Sequence, residues 1–119
     1  MDLGSEYIKM CKKAVEIQEY GRAHQREDWN YWIYPKMNCV AHKPDSSYSV
    51  FLPRQDQLQE MLPEDPNHFP SLYWLETFLD FYKVSYQERW TMEQLWLAFI
   101  MQEKYKKVWN GEDWISQEF

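Results

Sequence analysis

Thr91-Met92-Glu93-Gln94 opens the most legible stretch of this chain, and Leu95-Trp96-Leu97-Ala98-Phe99-Ile100-Met101 continues it. The first four residues have T-x-x-Q spacing. The Thr hydroxyl can accept from one free backbone N–H of a starting helix, while the Gln amide reaches back to satisfy another. Met92, Leu95, Trp96, Phe99, Met101, Gln102, Tyr105 and Trp109 then recur through the segment. Glu103, Lys104, Lys106 and Lys107 gather in what would be its final turns, where cations favour the negative end of the helix dipole. A long helix is expected from Met92 to Trp109, with Asn110-Gly111 as its stop and a short tail beyond.

Working outward, Tyr7, Met10, Cys11, Ala14, Val15 and Ile17 recur at three- and four-residue spacing. They predict one amphipathic helix, capped by Ser5 and ended by Gly21. Trp29 to Tyr34, Asn38 to His42 and Tyr48 to Leu52 are rich in residues that suit a pleated surface. Lys43-Pro44-Asp45-Ser46-Ser47 supplies turn chemistry between the last two, so a three-stranded antiparallel meander is expected. Pro53 precedes a short helix from Arg54 to Leu62, and Pro63 to Pro70 reads as a connector. Ser71 can cap a further helix bearing Leu72, Leu75, Phe78, Leu79 and Tyr82.

The fold class expected is α+β over one domain, residues 1–119: a small three-stranded antiparallel sheet packed against about four helices, the long C-terminal helix central. An all-α fold is the alternative if the aromatic segments are irregular. The chain has no run of apolar residues long enough to span a bilayer and no signal-peptide pattern. Its net charge of −6 opposes general nucleic-acid binding, which needs a positive face. Aromatic residues make up 18% of it, enough to offset chain entropy and exclude disorder. Two cysteines are too few for a disulfide scaffold and suit a reducing cytoplasm.

Three blocks carry a family resemblance. They are Tyr7-Ile8-Lys9-Met10-Cys11-Lys12-Lys13-Ala14, Leu52 to Met61, and Met92 to Phe99 continuing through Glu103-Lys104-Tyr105 to Trp109-Asn110-Gly111-Glu112-Asp113-Trp114. Together they cover somewhat under half of the chain. They resemble small uncharacterised proteins encoded by phages and prophages of Gram-positive, clostridia-like bacteria. The resemblance implies an origin and a compartment, the cytoplasm of the host cell. It implies no reaction.

Chemistry-bearing patterns are sparse. Cys39-Val40-Ala41-His42 has metal-ligand spacing, but no second ligand pair accompanies it, and positions 39 and 42 of one strand face opposite ways. Cys39 and Cys11 are formal nucleophile candidates, Cys11 the poorer because it sits on an apolar helix side. Glu76 and Asp80 form an acidic pair at helical spacing, and Glu112-Asp113 is a second. With three glycines in the chain, a phosphate-cradling loop is nearly excluded. Arg54-Gln55-Asp56-Gln57 is a polar cluster at a helix start that no core demands, which makes it a candidate binding site. More rings are present than helical stripes can bury, so Trp32 and Trp114 are expected to mark an exposed aromatic surface.

The leading functional expectation is a non-enzymatic phage accessory protein. It would bind a host or phage protein through an acidic, aromatic-bearing surface, modulating host machinery or defence. No cofactor, metal or membrane partner is implied, nucleic acid is disfavoured, and weak self-association is expected when the partner is absent. One alternative is a small ligand-binding domain or enzyme using Cys39, His42 or an acidic pair. The other is a nucleic-acid-associated protein using Arg54.

Overall fold

The computed structural model describes residues 3–23, 31–34, 39–41, 49–62, 70–85 and 90–116. In chain order the elements are α1 (Ser5–Lys13), α2 (Val15–Ala23), β1 (Tyr31–Tyr34), β2 (Cys39–Ala41), β3 (Val50–Leu52), α3 (Gln55–Glu60), α4 (Pro70–Ser85), α5 (Met92–Tyr105), β4 (Lys107–Trp109) and β5 (Trp114–Ser116). The protein is mixed helix and short antiparallel strand, the expected class.

The strand order corrects the expected meander. β1 is antiparallel to both of its neighbours, with Ile33 opposite Val40 on one side and Val50 on the other, so the order is β2-β1-β3. β1 carries an apolar load on both faces. Trp32 and Ile33 are adjacent and point to opposite faces, yet both are buried. β3 is buried at all three positions, so it too is covered on both faces. Two of its covers are α1 and α2, which pack against it.

The single N-terminal helix expected from Ser5 to Gly21 is two. Ala14 leaves the helical region at φ −84°, ψ 83°, and the chain restarts with the Ile17 and Gln18 N–H groups donating to the Ala14 carbonyl. Side-chain donors add to the carbonyls at the break. The Gln18 side-chain amide donates to the Cys11 carbonyl at 2.9 Å, and the Trp114 indole N–H donates to that of Met10 at 2.9 Å. The break rotates Val15 out of the apolar stripe, where it is exposed. Gly21 is therefore no helix stop. It lies inside α2, buried, where the helix backbone runs directly over the Phe51 ring.

Gln18 also completes the outer edge of β3. Its carbonyl oxygen accepts from the Phe51 N–H at 2.7 Å, and its amide donates to the Phe51 carbonyl at 3.0 Å. One side chain thus reproduces the pairing of a strand residue. Arg22 extends the seal, donating to the Ser49 carbonyl while its guanidinium lies 5.2 Å over the Trp32 ring.

α5 starts as expected. Thr91 Oγ1 accepts from the Gln94 N–H, and Gln94 Oε1 accepts from the Thr91 N–H at 2.8 Å. The helix is more than a stripe: every residue from Gln94 to Met101 is buried. A helix apolar all round sits inside a protein, and α5 is packed by α1, α3, α4 and β4. Against α4, Phe78 stacks on Trp96 at 3.9 Å between ring centres, and Phe99 meets both rings edge-on.

Candidate functional site

α5 ends earlier than Trp109. Lys106 takes the left-handed conformation (φ 55°), its N–H closes on the Met101 carbonyl, and the chain leaves the helix axis. Lys107–Trp109 then pairs antiparallel with Trp114–Ser116, in the register Lys107↔Ser116, Val108↔Ile115, Trp109↔Trp114. The turn is built by Asn110, whose Oδ1 accepts from the N–H groups of Glu112 and Asp113, each at 2.8 Å. Gly111 has φ 102°, which a residue with a side chain adopts only under strain. Asn110-Gly111, expected to stop a helix, is the turn of a β-hairpin. The same two residue types serve both devices.

Strand alternation puts Trp109 and Trp114 on one face, 5.1 Å apart between ring centres, and that face lies on α1. The Trp109 indole N–H donates to Glu6 Oε1 at 3.0 Å, and that of Trp114 to the Met10 carbonyl. Lys9 donates to the Gly111 carbonyl at 3.1 Å and pairs with Glu112 at 2.9 Å, while Lys13 pairs with Asp113 at 3.4 Å. The Glu112 hydrogen bond holds the Lys9 ammonium above its ordinary pKa. Lys107 is ion-paired to Glu16 on α2. On the opposite hairpin face, Val108 and Ile115 form a cross-strand apolar pair, and Ile115 is 47% exposed.

The other candidate residues are placed as follows. Arg54, Gln55, Asp56 and Gln57 share one turn at the start of α3, where Arg54 bonds both Asp56 and Gln57 and Gln55 is half-buried. The Arg54 guanidinium bonds Asp56 through Nε at 3.0 Å and Nη2 at 3.2 Å. That bond holds the Asp56 carboxyl below its usual range. Gln57 is buried, and its Oε1 accepts from the Arg54 N–H at 2.9 Å. Arginine has no acceptor with which to return that bond, so this is half of a capping box.

Trp32 corrects the expected aromatic surface. It is fully buried, with Phe51 at 5.4 Å between ring centres and the Arg22 guanidinium over its ring. Its indole nitrogen has no partner among the described residues. Trp114 is half-buried and remains at the surface.

Cys11 is fully buried in α1, closed to any substrate. Cys39 stands opposite Tyr34 in β2, and His42 lies outside the described residues. Glu76 and Asp80 are both exposed on α4. Among the described residues, no group of three or more His, Cys, Asp or Glu side chains is placed to hold a metal ion. No helix among them is long and apolar enough to cross a membrane. No family model, curated protein or solved structure matches the chain.

Sequence reasoning marked Trp114 as a surface ring but missed the hairpin that carries it and its neighbours. The available signal was Lys-Val-Trp and Trp-Ile-Ser, two short β-prone runs flanking Asn-Gly. Nothing local could announce the docking on Lys9 and Lys13, which lie about a hundred residues away.

Proposed function

We propose that this chain is a non-enzymatic protein-binding domain whose contact surface is the β4–β5 hairpin. The observation that carries the reading is the hairpin itself. It holds a pair of half-buried tryptophans, an exposed Ile115 and an acidic turn, Glu112-Asp113, on one short ribbon at the protein surface. The tryptophans face α1 and the Val108–Ile115 pair faces outward, so the ribbon offers aromatic and aliphatic groups of the kind that anchor protein interfaces, and the charged turn supplies a polar rim. The family resemblance adds the setting, a phage accessory protein acting on a host or phage protein. The self-pairing of Arg54 with Asp56 weighs against a nucleic-acid role for that turn.

Ile115→Asp tests the reading on a residue outside the core. Tagged protein carrying it should capture less partner from host lysate, by about tenfold or more. Its melting temperature should stay within about 3 °C of the parent, as expected for a surface substitution. Undiminished capture by a folded Ile115→Asp variant would remove the hairpin from the binding surface.

A further inference from the structure

We infer that the β4–β5 hairpin is a releasable strap that stows its own aromatic contact surface against α1, so that partner binding is gated by its undocking. The inference rests on the reading of the hairpin as the contact surface and adds its regulation.

The contacts that hold the strap differ in kind from those that hold α1. Tyr7, Met10 and Cys11 anchor α1 by full burial against the core, and the Tyr7 hydroxyl donates to the Pro53 carbonyl. The hairpin reaches α1 through polar groups near its outer surface. The acidic members of its two ion pairs to α1 are 78% and 59% exposed at Glu112 and Asp113, where water and salt compete for them, while the more sheltered Lys107–Glu16 pair ties the base of the hairpin to α2. Both indole N–H groups are spent on α1, so the docked face of the two rings is closed to any other protein.

The Trp109 and Trp114 rings pack on the rim of the core, which makes the docked state the resting one. The hinge lies immediately before the strap. Lys106 is the only non-glycine residue with positive φ among the described residues, and a single residue there carries the change of direction from α5 to β4. Such an element opens below the free energy of global unfolding, as peripheral units with few buried contacts do. A partner that binds only the released form shifts the population toward it.

Indole N–H exchange, followed by NMR on the full chain without any partner, tests this. The Trp109 and Trp114 indoles should exchange faster than those of Trp32 and Trp96, which the core encloses. Glu112→Gln with Asp113→Asn should speed the first two about fivefold, the scale of two exposed ion pairs, and leave the core pair unchanged. About 1 M NaCl should do the same in the parent and have a smaller effect in the double variant, where only the sheltered Lys107–Glu16 pair is left to screen. Equal rates at all four indoles, or rates at Trp109 and Trp114 that neither salt nor the variant changes, would overturn the strap. Exchange is read without a partner, so a failed capture experiment and a failed strap experiment are separate results.

Discussion

At the scale of single residues, Gly21 shows how one atom limits this fold. A Cβ built there would stand 2.4 Å from Phe51 Cδ2 and 2.5 Å from its Cγ. The ring cannot retreat, because Phe51 is fully buried and faces Trp32. Gly21→Ala should therefore cost about 1–3 kcal/mol through overpacking, despite the better helix propensity of alanine. Urea denaturation would show it as a lower midpoint at unchanged slope. A midpoint equal to or above the parent's would mean that α2 does not press on β3 as described. The same reasoning separates Trp32 from Trp114. One carries its ring into the middle of the sheet, the other bonds a helix carbonyl from the surface, and composition alone assigns them the same role.

At the scale of elements, local rules held at the start of α5 but not at that of α1, where Gly4 is the N-cap and the expected cap, Ser5, lies inside the helix. The T-x-x-Q box at Thr91 forms as its spacing requires, and it should be worth its usual amount. Thr91→Ala should lower stability by about 1 kcal/mol, measured by chemical denaturation. An unchanged midpoint would show that the Gln94 side of the box carries the cap alone. Local rules failed where two devices share a signal. Asn110-Gly111 fits a helix stop as well as a hairpin turn. Lys107, Val108 and Trp109 continue the composition of α5 closely enough that periodicity does not mark the left-handed Lys106. At Ala14 no sequence signal marks the break at all. Alanine is the best helix former, and the break is supported only in the fold, where Gln18 and Trp114 add donors to the Cys11 and Met10 carbonyls beside the Ala14 N–H.

At the scale of the whole molecule, the pH dependence of stability follows from groups in different elements. Burial pushes the Tyr105 phenol above its ordinary value of 10.0, and the nearby Glu16 and Glu19 add to the effect. A group whose pKa is raised on folding stabilises fully below its unfolded value and loses that contribution as pH rises through the folded one. Lys9, also raised, acts in the same direction. Asp56, lowered by Arg54, has the opposite sign: its contribution is present above the usual carboxylate range and lost as pH falls through its folded value. Melting temperatures from about pH 9 to about pH 12 should fall less steeply for Tyr105→Phe than for the parent. At the acid end, Asp56→Asn should flatten the decline. Parallel curves for parent and variant at either end would mean that the group titrates alike in the folded and unfolded chain.

The sequence by itself determined the class of mixed helix and strand, the start of α5, the start of α3 and the β-prone character of the segments that became β1, β2 and β3. Each of these rests on side chains within a few residues of one another, so spacing and propensity suffice. Only the tertiary structure decided that β1 lies between β2 and β3, that α1 breaks from α2, that Trp32 is core, and that the hairpin closes onto α1. Those outcomes turn on which distant backbone group finds a donor and which ring finds a cover. The pairings that seal β3 and close the hairpin onto α1 join residues 33 to 104 positions apart, a separation at which local periodicity carries no information.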